Sequence, residues 1–100
     1  MTYARLGTLG TNPGNRNELV ELLTRRSDRL AELGCLRYDV GIREDAPDTV
    51  FVAELWETEA DHRASLDDES VRAGIAEAMP LLSGKASGES FTVVGSPLHD

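Results

Sequence analysis

The chain has 100 residues, 40% of them hydrophobic and 28% charged, with a formal net charge of −8. That length supports one domain with a single modest core, taken as residues 1–100, and the composition is globular rather than disordered. Eighteen acidic against 10 basic side chains argue against nucleic acid and anionic membrane surfaces, both of which require clustered Lys and Arg.

The N-terminal stretch MTYARLGTLGTNPG lacks the apolar centre of a signal peptide. No run approaches the roughly 18 apolar residues of a membrane-spanning helix. Cys35 is the only cysteine, so no intrachain disulfide can form. A reducing, cytoplasmic location is the expectation. Cys35 itself reads as a small strand side chain rather than a nucleophile.

Residues 2–9 read as a strand in which Tyr3, Leu6 and Leu9 are the large side chains. Asn12-Pro13-Gly14 is a turn signal, because Pro fixes φ and Gly tolerates positive φ. Asn15 with Glu18 three residues on has the pattern of a capping box. One helix is then expected, burying Leu19, Leu22, Leu23, Leu30 and Leu33, with Arg25 paired to Glu21 and Gly34 as its stop. Arg25, Arg26 and Arg29 read as a solvated face near the helix C-terminus.

Residues 35–42 alternate, with Leu36, Tyr38, Val40 and Ile42 on one face. After a polar connection containing Pro47, residues 49–56 (TVFVAELW) are nearly all apolar, as in a strand covered on both faces. The pair predicts an antiparallel hairpin. Thr58 caps the next helix, with Asp61 at its third position. Asp67-Asp68-Glu69 breaks that helix and starts a second segment through Val71, Ile75, Ala78 and Met79. Ser83–Gly88 is expected to be a flexible turn and residues 89–94 the last strand. The tail SPLHD, including His99, reads as loose or partner-bound.

The order is β-α-β-β-α-β with the second helix broken. This is the ferredoxin-like α+β class, a four-stranded antiparallel sheet with helices on one face. Phe51, Ala53 and Leu55 would share one side of their strand, Val50, Val52 and Trp56 the other. Two apolar faces on so small a domain imply a second layer from another copy, giving a sheet-to-sheet homodimer.

Trp56 and His62 flank one strand-to-helix junction. An indole can stack on a flat aromatic molecule, and a histidine can take a proton from a phenol or activated carbon acid. Spacing alone favours the plainer reading, in which Trp56 closes the core and His62 faces solvent. Asp61, His62, Asp67, Asp68 and Glu69 match neither a zinc nor a calcium pattern, so no metal is expected. Gly7, Gly10 and Gly14 lack dinucleotide-loop spacing, and no serine sits in a nucleophile elbow. No motif implies a flavin, haem or nicotinamide cofactor.

Several segments, in order, resemble the antibiotic biosynthesis monooxygenase superfamily of small dimeric ferredoxin-like proteins, quinol-monooxygenase-like members included. They are Pro13-Gly14-Asn15-Arg16, Gly34-Cys35-Leu36-Arg37-Tyr38-Asp39-Val40, Glu54-Leu55-Trp56-Glu57, Ala60-Asp61-His62, Val71-Arg72 and Thr92-Val93-Val94-Gly95. The resemblance implies sheets packed in a dimeric α+β barrel and a cofactor-independent monooxygenase acting with O2 on a phenolic, anthrone or quinol-type substrate. It implies Trp56 and His62 as catalytic residues and Trp56, Tyr38, Val52 and Leu66 as the substrate-binding wall. Val52 stands where some family oxygenases carry Asn. Leu66 stands where the haem-degrading branch carries His, which disfavours haem degradation. The alternatives are a non-catalytic dimeric ligand-binding or accessory protein and a polyketide cyclase-like enzyme.

Overall fold

In the computed structural model, which describes residues 1–99, strand β1 (Tyr3–Thr11) lies in the interior of a four-stranded antiparallel sheet. Helices α1 (Arg16–Leu23) and α2 (Asp28–Glu32) follow, then the hairpin strands β2 (Cys35–Gly41) and β3 (Thr49–Trp56). Helices α3 (Glu59–Ser65) and α4 (Glu69–Ala78) lead through a short 3-10 turn into β4 (Leu82–Thr92). The sheet order β2-β3-β1-β4 is that of the ferredoxin-like fold.

The expected single helix over residues 15–33 is two helices. Its apolar stripe lapses between Leu23 and Leu30, where Arg25, Arg26 and Ser27 are all exposed. Thr24 turns its hydroxyl back onto the Val20 carbonyl at 2.7 Å, and Ser27 Oγ caps α2 by accepting from Leu30 N–H at 3.4 Å. Only Leu19 is fully buried; Leu22, Leu23, Leu30 and Leu33 are half-buried. Asn15 makes no side-chain cap, because its φ of −98° and ψ of 2° leave the extended region that capping needs. Its N–H instead closes a turn onto Asn12 O at 3.0 Å. Arg25, in the connection between α1 and α2, pairs with Glu77 of α4 at 3.0 Å rather than with Glu21.

The break in the second helical region is as expected. Thr58 Oγ1 accepts from Asp61 N–H at 3.0 Å and caps α3. Asp68 caps α4, its Oδ2 accepting from Ser70 and Val71 N–H at 3.1 and 3.3 Å. Its other oxygen takes two N–H groups of Arg29, at 2.7 and 3.0 Å, tying α2 to α4. The Arg29 fork, followed by the Ser70 hydrogen bond, holds the Asp68 carboxyl at about 2.

Residues 83–88 are strand, not turn. Ser, Gly and Lys have weak strand preference of their own, and pairing along β1 from Tyr3–Thr92 to Leu9–Ala86 supplies the order. The small residues serve close approach: a Cβ on Gly7 would stand 2.9 Å from the Ser87 carbonyl oxygen. In β2 the alternation fails at its start. Cys35 pairs with Trp56 and Arg37 with Leu55, so Leu36 is the extra residue of a bulge and is 51% exposed. Ile42 lies beyond the strand and is also exposed. Tyr38 and Val40 alone remain of the predicted apolar row.

The core lies between the helices and one face of the sheet. Leu19, Val50 and Ala78 are buried together, with Leu9, Val40, Leu22 and Leu81 packed around them. Phe51 and Ala53 fall on the opposite, uncovered face beside Leu6 and Thr8, which gives that side an apolar surface. No helix among the described residues is long and apolar enough to cross a membrane.

Candidate active site

Residues paired across antiparallel strands project to the same face. On the helix-facing side β3 presents Val50, Val52, Glu54 and Trp56, paired with Leu9, Gly7, Arg5 and Tyr3 of β1. Val40 and Tyr38 of β2 continue the Val52 and Glu54 rows. This surface is divided. Its Val50 end is the apolar core; its Trp56 end gathers Tyr3, Arg5, Tyr38 and Glu54 near α3.

Local sequence explains how His62 reaches that end. Gly34 has a φ of 103°, a left-handed conformation that favours glycine, and ends the α2 region where the chain enters β2. Glu57 N–H donates to the Gly34 carbonyl at 2.9 Å. A Cβ at Gly34 would come within 2.6 Å of Asp61 Oδ2. The start of β2 and the start of α3 are therefore in direct contact, and Thr58 fixes the first turn of the helix. His62, one residue after Asp61, then lays its ring edge-on to Trp56 at 5.3 Å and 75°, and 5.8 Å from Tyr3.

A carboxylate sits among these rings. Trp56 Nε1 donates to Glu54 Oε1 at 3.0 Å. Arg5 Nε lies 3.9 Å from Glu54 Oε2, and Arg5 Nη1 donates to Tyr3 Oη at 3.3 Å. Trp56 is only 2% exposed. Burial, then the charge of Arg5, lowers the His62 pKa below its ordinary value, while Glu54 opposes the shift. The imidazole is therefore neutral at pH 7 and able to accept a proton. Tyr38 is pushed up to about 12, first by burial and then by Glu54, so it remains a neutral phenol. Burial also raises the Cys35 pKa, and the thiol donates to Arg37 O at 3.4 Å.

The structure thus brings His62, Trp56 and Tyr38 to one end of the helix-facing surface. Val52 occupies the same face, one step towards the core. Leu66 is the C-terminal cap of α3, with a side chain 46% exposed. Arg5, Tyr3 and Glu54 did not stand out by motif. The available signal was Glu54, the one charged residue in TVFVAELW, two positions before Trp56 and hence on its face. Among the described residues no three His, Cys, Asp or Glu side chains gather as metal ligands.

The other face of the sheet forms a shallow concavity of about 760 Å³, with Leu6, Thr8, Asp39, Phe51, Ala53 and Glu89 among its lining. It holds none of the titratable cluster around Glu54.

Residues 2–77 match the family described as antibiotic biosynthesis monooxygenase. Among solved structures, a Chloroflexus aurantiacus protein that carries the same name as a provisional designation is 29% identical, with a TM-score of 0.84 and coverage of 96% of each chain. A Nitrosomonas europaea protein, provisionally given that name too, is 13% identical with a TM-score of 0.80, over 93% of this chain and 90% of its own. A Mycobacterium tuberculosis protein is 15% identical with a TM-score of 0.74, over 97% and 99%. The last two likenesses concern the fold alone. No curated protein matches the sequence.

Proposed function

Because the chain belongs to the antibiotic biosynthesis monooxygenase family, we propose that it is a cofactor-independent monooxygenase acting on a phenolic, anthrone or quinol-type aromatic substrate with O2. The observation that carries the reading is the neutral imidazole of His62 set edge-on against the buried indole of Trp56. Tyr38 offers an aromatic wall to a flat ring, the buried indole of Trp56 backs the imidazole, and His62 is the proton acceptor.

For an anthrone-type CH2 group the steps balance as follows. His62 takes one ring proton and leaves an enolate. The enolate passes one electron to O2, and the radical pair joins to a hydroperoxide once a proton returns. Loss of water leaves the carbonyl, so one oxygen atom enters product and the other leaves as water. The substrate is the reductant, and the protein contributes positioning, proton transfer and exclusion of water.

The test is oxygen-electrode uptake with purified protein and a panel of anthrones and quinols. Wild type is expected to consume O2 and His62→Ala to be at least about tenfold slower. The acid limb of kcat/KM should lie below the ordinary histidine value of 6.5, because protonation removes the base and the shift is downward. No uptake across the panel would sink the oxygenase reading in favour of a binding or cyclase-like role. Unchanged uptake in the variant would remove only His62.

The apolar concavity on the uncovered face is proposed to close against the same face of a second copy, as a dimeric α+β barrel. Light scattering at micromolar concentration should give twice the 10.9 kDa chain mass. A monomeric mass would reject the arrangement.

A further inference from the structure

Arg5 belongs to the same end of the sheet as Trp56 and His62 but has no part in the reading above. It projects on the helix-facing side beside Glu54 and Ser90, its partners on β3 and β4. Its guanidinium makes one hydrogen bond, to Tyr3 Oη, and a loose ion pair with Glu54 at 3.9 Å. Most of its five N–H groups have no partner among the described residues. Its side chain is 40% exposed, against 17% for Glu54, so the cation is the reachable member of the pair. Its charge is felt by His62 as the second cause of the lowered pKa.

The surface beside Arg5 is unusual. The next position along β1 on this face is Gly7, paired with Gly88 on β4. Two facing glycines leave bare backbone between the apolar Leu9–Ala86 row and the polar Arg5–Ser90 row, and the same two also line the concavity of the opposite face. A flat ring can lie low over such a strip with an oxygen directed to the guanidinium. Proton loss to His62 creates negative charge on that oxygen, and a planar cation with free N–H groups is suited to receive it.

We infer that Arg5 is the anion-recognition residue of this site, binding the ionised oxygen of an aromatic enolate or phenolate, with Glu54 as the positioning residue that holds the guanidinium beside the Gly7–Gly88 floor. The inference rests on the proposed function for the location of the site and for the anion that proton loss to His62 creates. Within that class it assigns the ionised oxygen, and not the ring alone, as the group the site recognises.

The experiment uses 4-nitrophenol, whose ionisation is visible by absorbance, and its neutral methyl ether 4-nitroanisole. Both are titrated anaerobically into the full chain, with Trp56 fluorescence as a second readout. Wild type should bind the phenolate in preference to the phenol and lower the apparent pKa of the bound probe. Arg5→Gln should weaken phenolate binding by about tenfold or more and leave 4-nitroanisole affinity within about twofold. Glu54→Gln, which keeps the shape but frees the guanidinium, should change phenolate affinity without changing 4-nitroanisole affinity. Added salt should weaken phenolate binding to the wild type and spare 4-nitroanisole, a test that needs no variant to fold.

Equal loss of both probes in Arg5→Gln, equal binding of phenol and phenolate by wild type, or salt-independent phenolate binding each overturns the assignment. Failure of O2 uptake with the phenolate preference intact would remove the oxygenase reading and leave Arg5 as assigned.

Discussion

Trp56→Ala is expected to lower the free energy of unfolding by about 3–5 kcal/mol, the usual loss for truncating a large buried aromatic side chain. The indole is 2% exposed at the end of β3, and its Nε1–H is the donor to Glu54 Oε1 at 3.0 Å. Removing it opens a cavity beneath His62 and takes a hydrogen-bond donor from a largely buried carboxylate. Against a typical total of about 5–15 kcal/mol, that loss brings the domain near its stability limit. Urea unfolding followed by far-UV circular dichroism, at fixed protein concentration, measures it. Trp56→Phe keeps most of the ring contact and loses the donor, so it should fall between Ala and wild type. If Trp56→Ala unfolds within about 1 kcal/mol of wild type, the ring is a replaceable ligand plate and not part of the core.

Leu19→Ala is expected to cost about 2–5 kcal/mol by the same cavity mechanism, at the other end of the helix–sheet layer. Leu19 is 0% exposed and packs with Val50 and Ala78. None of the rings or charges around Glu54 belongs to that cluster. The urea midpoint should therefore fall while the 4-nitrophenolate affinity of the native protein holds. A matching fall in affinity would mean that the two ends are mechanically coupled and that the site depends on core packing at a distance.

Local chemistry made much of the architecture legible. The β2–β3 hairpin followed from its apolar runs and the Pro47 connection, the break between α3 and α4 from Asp67-Asp68-Glu69, and the start of α3 from Thr58. Gly34 was readable because few other residues take its backbone angle cheaply. The misses share a cause. The α1–α2 break depends on a six-residue lapse, Thr24 to Arg29, in an otherwise regular stripe, which a periodicity count averages over. The length of β4 depends on pairing with β1, a long-range contact that a Ser- and Gly-rich segment does not announce. Arg5 and Glu54 are 49 positions apart and meet only because strand register sets them opposite one another. Trp56 and His62 could be found because they are rare residue types close together; their charged neighbours are common types far apart.

The division of the helix-facing surface bears on how such a chain can change over generations. Leu19, Val50 and Ala78 carry stability at one end, while Arg5, Tyr38 and His62 are half-buried polar or titratable groups at the other. Substitutions at these three positions alter charge and shape in the site without opening the core, so they can drift under selection for a new ligand. Trp56, fully buried at the site's own end, has no such freedom. A lineage built on this scaffold would be expected to explore new aromatic substrates around a fixed indole, varying what surrounds the ring before the ring itself.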